Sequence, residues 1–144
     1  MENKKYLKEK KLSLSIQKYL LEQKYPESIC KIKENELEWF GIIKPTALSR
    51  EYNIKISYKL GKRPEVILYG NNIEGLNKIG FPHHFKIKRK KQEVSLCLHL
   101  SKEFNDSLSI SDVIIPWTQE WLYFYEIWLF TGIWNGGGHN PQKL

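Results

Sequence analysis

From Tyr52 to Leu60 apolar and polar residues alternate without a break. Tyr52, Ile54, Ile56, Tyr58 and Leu60 share one side, and Asn53, Lys55, Ser57 and Lys59 the other. That period of two belongs to a half-buried strand, because successive side chains leave a pleated backbone on opposite faces. The strand has close neighbours in the chain. Trp39 to Ile43 is short, aromatic and β-branched, and Pro45 closes it. Gly61-Lys62-Arg63-Pro64 reads as a turn, and Val66-Ile67-Leu68-Tyr69 follows it as the next strand. Connections this short leave no room for a crossover helix, so the three strands form an antiparallel meander.

The flanks read as helices. Leu12, Ile16, Tyr19 and Leu20 recur at i, i+4, i+7 and i+8, which predicts an amphipathic helix with that stripe facing the core. Tyr25-Pro26 ends it, since a residue before proline avoids helical geometry. Residues 1–11, with Lys4, Lys5, Lys8, Lys10 and Lys11, are expected to be flexible. Near the other end, Ile114-Ile115-Pro116-Trp117 places a proline where helices begin. Trp117, Trp121, Leu122, Phe124, Tyr125, Trp128 and Leu129 then make a helix apolar almost all round, with Gly132 as its C-cap. The segment 133–144 is a glycine-rich tail, and its Gly136-Gly137-Gly138 lacks the spacing of a phosphate loop. The segment around Cys30 is mixed, and residues 70–93 carry no clear element. The basic run inside them, Lys86 to Lys91, reads as a solvated hairpin. The expected fold class is α/β of the α+β kind: one domain over residues 1–144, an antiparallel sheet of about four strands backed by helices.

The chemistry concentrates in Val94-Ser95-Leu96-Cys97-Leu98-His99-Leu100. The alternation puts Val94, Leu96, Leu98 and Leu100 on one face and Ser95, Cys97 and His99 on the other, so Cys97 points away from the leucines. Five cations just upstream, Lys86, Lys88, Arg89, Lys90 and Lys91, would lower its pKa. Cys30 lies between Ile29 and Lys31 with no companion acid or base, and reads as packing. Nothing suggests secretion, and the lysine-rich N-terminus has no apolar signal region, so free thiols in a cytoplasmic protein are expected. A formal charge of +7 favours an acidic partner surface.

The order of helix, meander, histidine-bearing loop, cysteine segment and helix resembles the ubiquitin-conjugating enzyme fold. In that family an Ile-Cys-Leu-like segment carries the active cysteine and follows a His-Pro-Asn motif. Leu96-Cys97-Leu98 matches the first, and Pro82-His83-His84 lies where the second would fall. Ile114-Ile115-Pro116-Trp117, Glu120-Trp121-Leu122, Tyr125-Glu126, Trp128, Thr131-Gly132 and Trp134-Asn135-Gly136-Gly137-Gly138-His139 are similar to a bacterial branch. That branch is encoded in cyclic-oligonucleotide-based antiphage signalling (CBASS) operons, beside cGAS-like nucleotidyltransferases.

The resemblance implies thioester chemistry in antiphage defence. Cys97 would be the nucleophile that accepts the C-terminal carbonyl of the partner cGAS-like nucleotidyltransferase and passes it to lysine amines of target proteins. The chain has no asparagine at the family's oxyanion position, so His83 or His84 stands in, with His84 taken as the auxiliary residue. No cofactor, metal or membrane partner is implied. The partner is expected to dock on exposed aromatic surface near Trp117, Trp121 or Trp134, since tryptophans are enriched at interface hot spots.

Three rival readings use the same residues. An adaptor would keep the fold and bind the nucleotidyltransferase without chemistry. A metal site could draw on Cys97, His99, His83, His84 and His139, but no CxxC or HxxxH pair anchors it. Nucleic-acid binding through Lys86 to Lys91 has no recognition motif behind it.

Overall fold

The structure, a computed structural model, describes residues 10–98 and 104–137. Helix α1 (Leu14–Lys24) is followed by six strands: β1 (Ile29–Lys33), β2 (Glu36–Ile43), β3 (Tyr52–Tyr58), β4 (Glu65–Tyr69), β5 (His84–Lys88) and β6 (Glu93–Leu96). A π-helical turn (Ile110–Ile114) then leads directly into helix α2 (Ile115–Thr131). The strands form one sheet in the order β1-β2-β3-β4-β6-β5, and every neighbouring pair is antiparallel. The fold is α+β, and its sheet has two strands more than the sequence suggests.

Register explains the core. Leu37 lies across from Tyr58, Trp39 from Ile56 and Ile43 from Tyr52. Ile54 continues to Leu68, and Leu68 to Val94. All of these are buried, so a single sheet face carries the apolar layer. On the other face Lys55 bridges Glu38 at 3.1 Å and lies 5.6 Å from the Phe40 ring.

Both unexpected strands sit at sheet edges. β1 alternates only one buried residue, Cys30, among exposed ones, because its outer side has no partner. It turns into β2 through Glu34 and Asn35, both left-handed with φ of 53° and 63°, as a tight hairpin requires. β5 forms the hairpin read in the basic run, and its lysines keep an open edge from pairing with another chain. The intervening loop is anchored: Ile73 donates its backbone N–H to Gln92 Oε1 at 2.7 Å, and Ile73, Leu76 and Phe81 are buried.

Helix α1 faces the opposite way from the predicted stripe. Leu14, Gln17 and Leu21 are buried, whereas Ile16 and Tyr19 are largely exposed. Gln17 decides the orientation. Its side chain donates to the Leu108 carbonyl at 2.8 Å and accepts from the Ile110 N–H at 2.9 Å, which ties α1 to the turn before α2. Gln17→Ala strands both backbone groups in a dry interior. The expected cost is about 2–4 kcal/mol, read as a lowered midpoint in urea unfolding with unchanged slope.

Proline stands in the first turn of α2, and Gly132 closes it in the left-handed conformation at φ 79°, donating its N–H to the Trp128 carbonyl at 2.7 Å. Trp121, Leu122, Tyr125 and Trp128 face the core. Tyr52 and Tyr125 pack edge-on at 5.9 Å, and Tyr52 donates its hydroxyl to Glu126 at 2.7 Å. Among the described residues, no helix is long and apolar enough to cross a membrane.

Candidate active site

Cys97 lies one residue beyond the end of β6. The expected strand to Leu100 stops at Leu96 because β6 runs out of partners on both sides. Its last pair with β4 is Ser95 with Ile67, and its last with β5 is Leu96 with His84. Residues 99 to 103, including His99, lie outside the described residues. Cys97 donates its backbone N–H to the His83 carbonyl at 2.9 Å, and Trp121 donates its indole N–H to the same oxygen at 3.1 Å. One carbonyl thus joins the histidine loop, the end of β6 and α2.

Cys97 is a buried residue, at 3% exposure, and lies outside the main apolar cluster. It lines a small cavity with His83, Trp117, Glu120, Trp121 and Phe124, closed by Trp134, Gly136 and Gly137. The four α2 residues are spaced i, i+3, i+4 and i+7, which is one helix face. Glu120 is solvent-exposed and is the acidic residue of the cavity lining.

Of the two adjacent histidines, the structure brings His83 to the cysteine. Its backbone takes φ 31°, an uncommon value for a residue other than glycine, and its ring stacks on Trp134 with centroids 4.8 Å apart. His84, the auxiliary residue read from the sequence, is not among the cavity-lining residues. Its Nδ1 lies 3.0 Å from the Phe81 carbonyl, and its ring meets Phe81 edge-on at 5.6 Å. Burial lowers the His84 pKa, against the opposing pull of that carbonyl.

The expected cation effect does not come from the basic run. Arg89 to Gln92 form the turn at the other end of the β5–β6 hairpin from Cys97. Lys86 and Lys88 share an outer groove with Glu65 and Glu93. The cation that favours the Cys97 thiolate is Arg63, on the β3–β4 turn, whose guanidinium lies 4.5 Å from the Phe85 ring centre. Asp106 holds that turn by accepting from Tyr58 Oη at 2.9 Å and the Gly61 N–H at 3.1 Å. Burial outweighs Arg63, so the Cys97 pKa is raised, not lowered. Cys30 packs in the main core and is pushed up to about 11 by burial.

A pH profile checks this. In a Cys30→Ser background, iodoacetamide alkylation of Cys97 should climb about tenfold per pH unit above pH 7, with a midpoint above the free-thiol value of about 8.5. A midpoint below 7 would contradict the buried setting.

The surfaces named for docking also change. Trp121 is buried, as are Trp39 and Trp128, while Trp117 and Trp134 are partly exposed. The tryptophans largely build the core and the cysteine cavity. Among the described residues no three His, Cys, Asp or Glu side chains converge as a metal site needs. His139 lies outside the described residues.

A family model described as Type II CBASS E2 protein matches residues 17–141, from α1 through the cysteine segment and α2 into the tail. The chain belongs to that family. No curated protein matches it. As a Type II CBASS E2 protein it has a CBASS-associated, E2-like role, and its α+β fold agrees with that membership. Sequence reading singled out Cys97 as a candidate but did not show which residues line the cavity with it. Glu120 and Gly136-Gly137 entered the sequence reading as parts of the family-like motifs, with nothing to place them beside Cys97.

Proposed function

We propose that this E2-like chain is an acyl carrier and transferase. On this reading Cys97 takes the C-terminal carbonyl of the partner cGAS-like nucleotidyltransferase as a thioester and passes it to a lysine amine. The supporting observation is the cavity itself, lined by Cys97, His83 and Glu120, three residues whose side chains carry a thiol, an imidazole and a carboxylate.

The chemistry assigns each a task. The Cys97 thiolate attacks the carbonyl carbon and the leaving group departs with its electron pair. The carbonyl must arrive activated, because a free carboxylate and a thiol form thioester and water only uphill. His83, on the loop where the family carries its asparagine motif, offers a ring N–H toward the oxyanion that forms in each step. Glu120 draws the lysine ammonium to the cavity and accepts its proton as the amine attacks the thioester. Arg63 favours the thiolate that leaves in that second step. The resemblance gave the auxiliary role to His84, and the cavity supports His83 instead.

A second reading has an observation in its favour. A thiol that is buried with a raised pKa suits an adaptor that binds the nucleotidyltransferase without chemistry. Incubation with the partner nucleotidyltransferase carrying an activated C-terminal carbonyl, an acyl adenylate or a thioester whose adenylate or thiol departs as Cys97 attacks, separates the two. The transferase reading expects a covalent species that thiol reductant removes, and the adaptor reading expects a complex that denaturant dissolves completely.

A further inference from the structure

The residues that close the Cys97 cavity come from the chain's own segment after α2. Trp134 stacks on His83 at 4.8 Å and 24°, and its ring also lies 5.6 Å from Trp121 and 5.9 Å from Phe124. Its indole N–H donates to the Gly137 carbonyl at 3.0 Å, which folds residues 134–137 into a compact knob. Gly136 sits at the centre of that knob. A Cβ there would lie 2.7 Å from the Trp134 ring and 2.9 Å from Phe124, so only glycine fits between them. Gly137 takes φ 66°, again a glycine-favoured conformation.

Among the described residues, ring packing is what ties this knob to the body of the protein. The Trp134 to Gly137 hydrogen bond runs within the segment. The link to α2 is Gly132, left-handed, exposed and with open space where a Cβ would be, followed by the exposed Ile133. A few backbone rotations at Gly132 and Ile133 would carry the knob away as a unit.

We propose that residues 134–137 are a plug in cis. They occupy the place beside Cys97 that an incoming peptide tail with small residues must fill, and they swing out about Gly132 to admit it. The inference rests on the acyl-transfer reading for the identity of the tail. The aromatic walls fit a glycine-bearing backbone, and Gly136-Gly137 fills them as such a tail would. Burial of the thiol then describes the closed state of the site, in which a reactive thioester-forming cysteine is kept from adventitious electrophiles.

Alkylation of the full-length protein tests the plug without any partner. In Trp134→Ala, iodoacetamide should modify Cys97 about tenfold faster than in wild type, because the reactive open form becomes the major one. Cys30, buried elsewhere in the core, reports on general loosening and should keep its rate. Gly136→Val should act in the same direction while retaining Trp134. Cys97 rates within about twofold of wild type in both variants would overturn the plug. So would Cys30 quickening as much as Cys97 in both. A synthetic heptapeptide ending in Gly-Gly should slow Cys97 alkylation in Trp134→Ala by about twofold or more at millimolar concentration. Absence of that protection overturns the tail site. Failure of adduct formation with the nucleotidyltransferase leaves the alkylation result intact, so the two readings fail separately.

Discussion

Cys97→Ala should reduce covalent adduct formation with the nucleotidyltransferase by about a thousandfold or more, because no other described group at the cavity replaces a thiolate as nucleophile. His83 would give an acyl-imidazole and Glu120 an anhydride, and water destroys both. The fold should persist. Removing one sulfur from a buried position costs about 1 kcal/mol, a fraction of the 5–15 kcal/mol that holds a domain of this size. Cys30→Ser provides the contrast. It places a hydroxyl in the core beneath α1 and should cost about 1–3 kcal/mol of stability while leaving adduct yield within about twofold. The two cysteines therefore separate function from packing in opposite directions. Adduct yield by denaturing gel and stability by urea titration measure both.

Trp39→Ala should be the most damaging single truncation, at about 3–5 kcal/mol. The ring is 1% exposed on the central part of β2 and faces Cys30 and Ile56 across the sheet. Its indole N–H donates to Ser28 Oγ at 2.8 Å, and Tyr25 packs edge-on at 5.8 Å, so the same side chain fixes the end of α1 and the start of β1. The ring also lies over Gly41, where an added Cβ would come within 2.3 Å of it. Loss of the indole leaves a cavity that none of these rigid strands can collapse to fill. The melting temperature should fall by about 10 °C or more, as the entropy of unfolding of a domain this size dictates. Phe130→Ala is the control, since Phe130 is almost fully exposed and its truncation should stay within about 0.5 kcal/mol of wild type.

How much of this was legible follows from where the determining contacts lie. The meander could be read because alternation in β3 is a local property, and each apolar residue from Tyr52 to Tyr58 is buried as the period requires. The end of α2 could be read for the same reason, as Gly132 and the proline in the first turn act within one turn of chain. The face of α1 could not. Hydropathy ranks Ile16 and Tyr19 above Gln17, but Gln17 is buried by hydrogen bonds to Leu108 and Ile110, far along the sequence. β1 and β5 were hidden by their lysines, which an edge strand tolerates and a pattern search discards.

At the candidate site, Cys97 was singled out by its neighbours Leu96 and Leu98, while the alternation expected there fails because β6 ends at Leu96 and Ser95 to Leu98 are all buried. Its electrostatics were not. The basic run is close in sequence, but the hairpin turns most of it away, while Arg63 arrives from the β3–β4 turn. The choice between His83 and His84 needed the backbone at φ 31°, and the place of Trp134 in the lining of the Cys97 cavity needed the fold of residues after Gly132.

The most direct test of Cys97 as the acyl acceptor is intact-mass measurement after Cys97→Ser. The protein is incubated with the partner nucleotidyltransferase under the conditions that give the wild-type adduct, then denatured and reduced. The account predicts that wild type loses its adduct on reduction, while the substituted protein retains an oxyester at position 97, cleaved by mild base and absent from Cys97→Ala. An adduct of unchanged yield and chemistry in Cys97→Ala would contradict it, and would leave this chain a partner-binding protein whose cysteine does no chemistry.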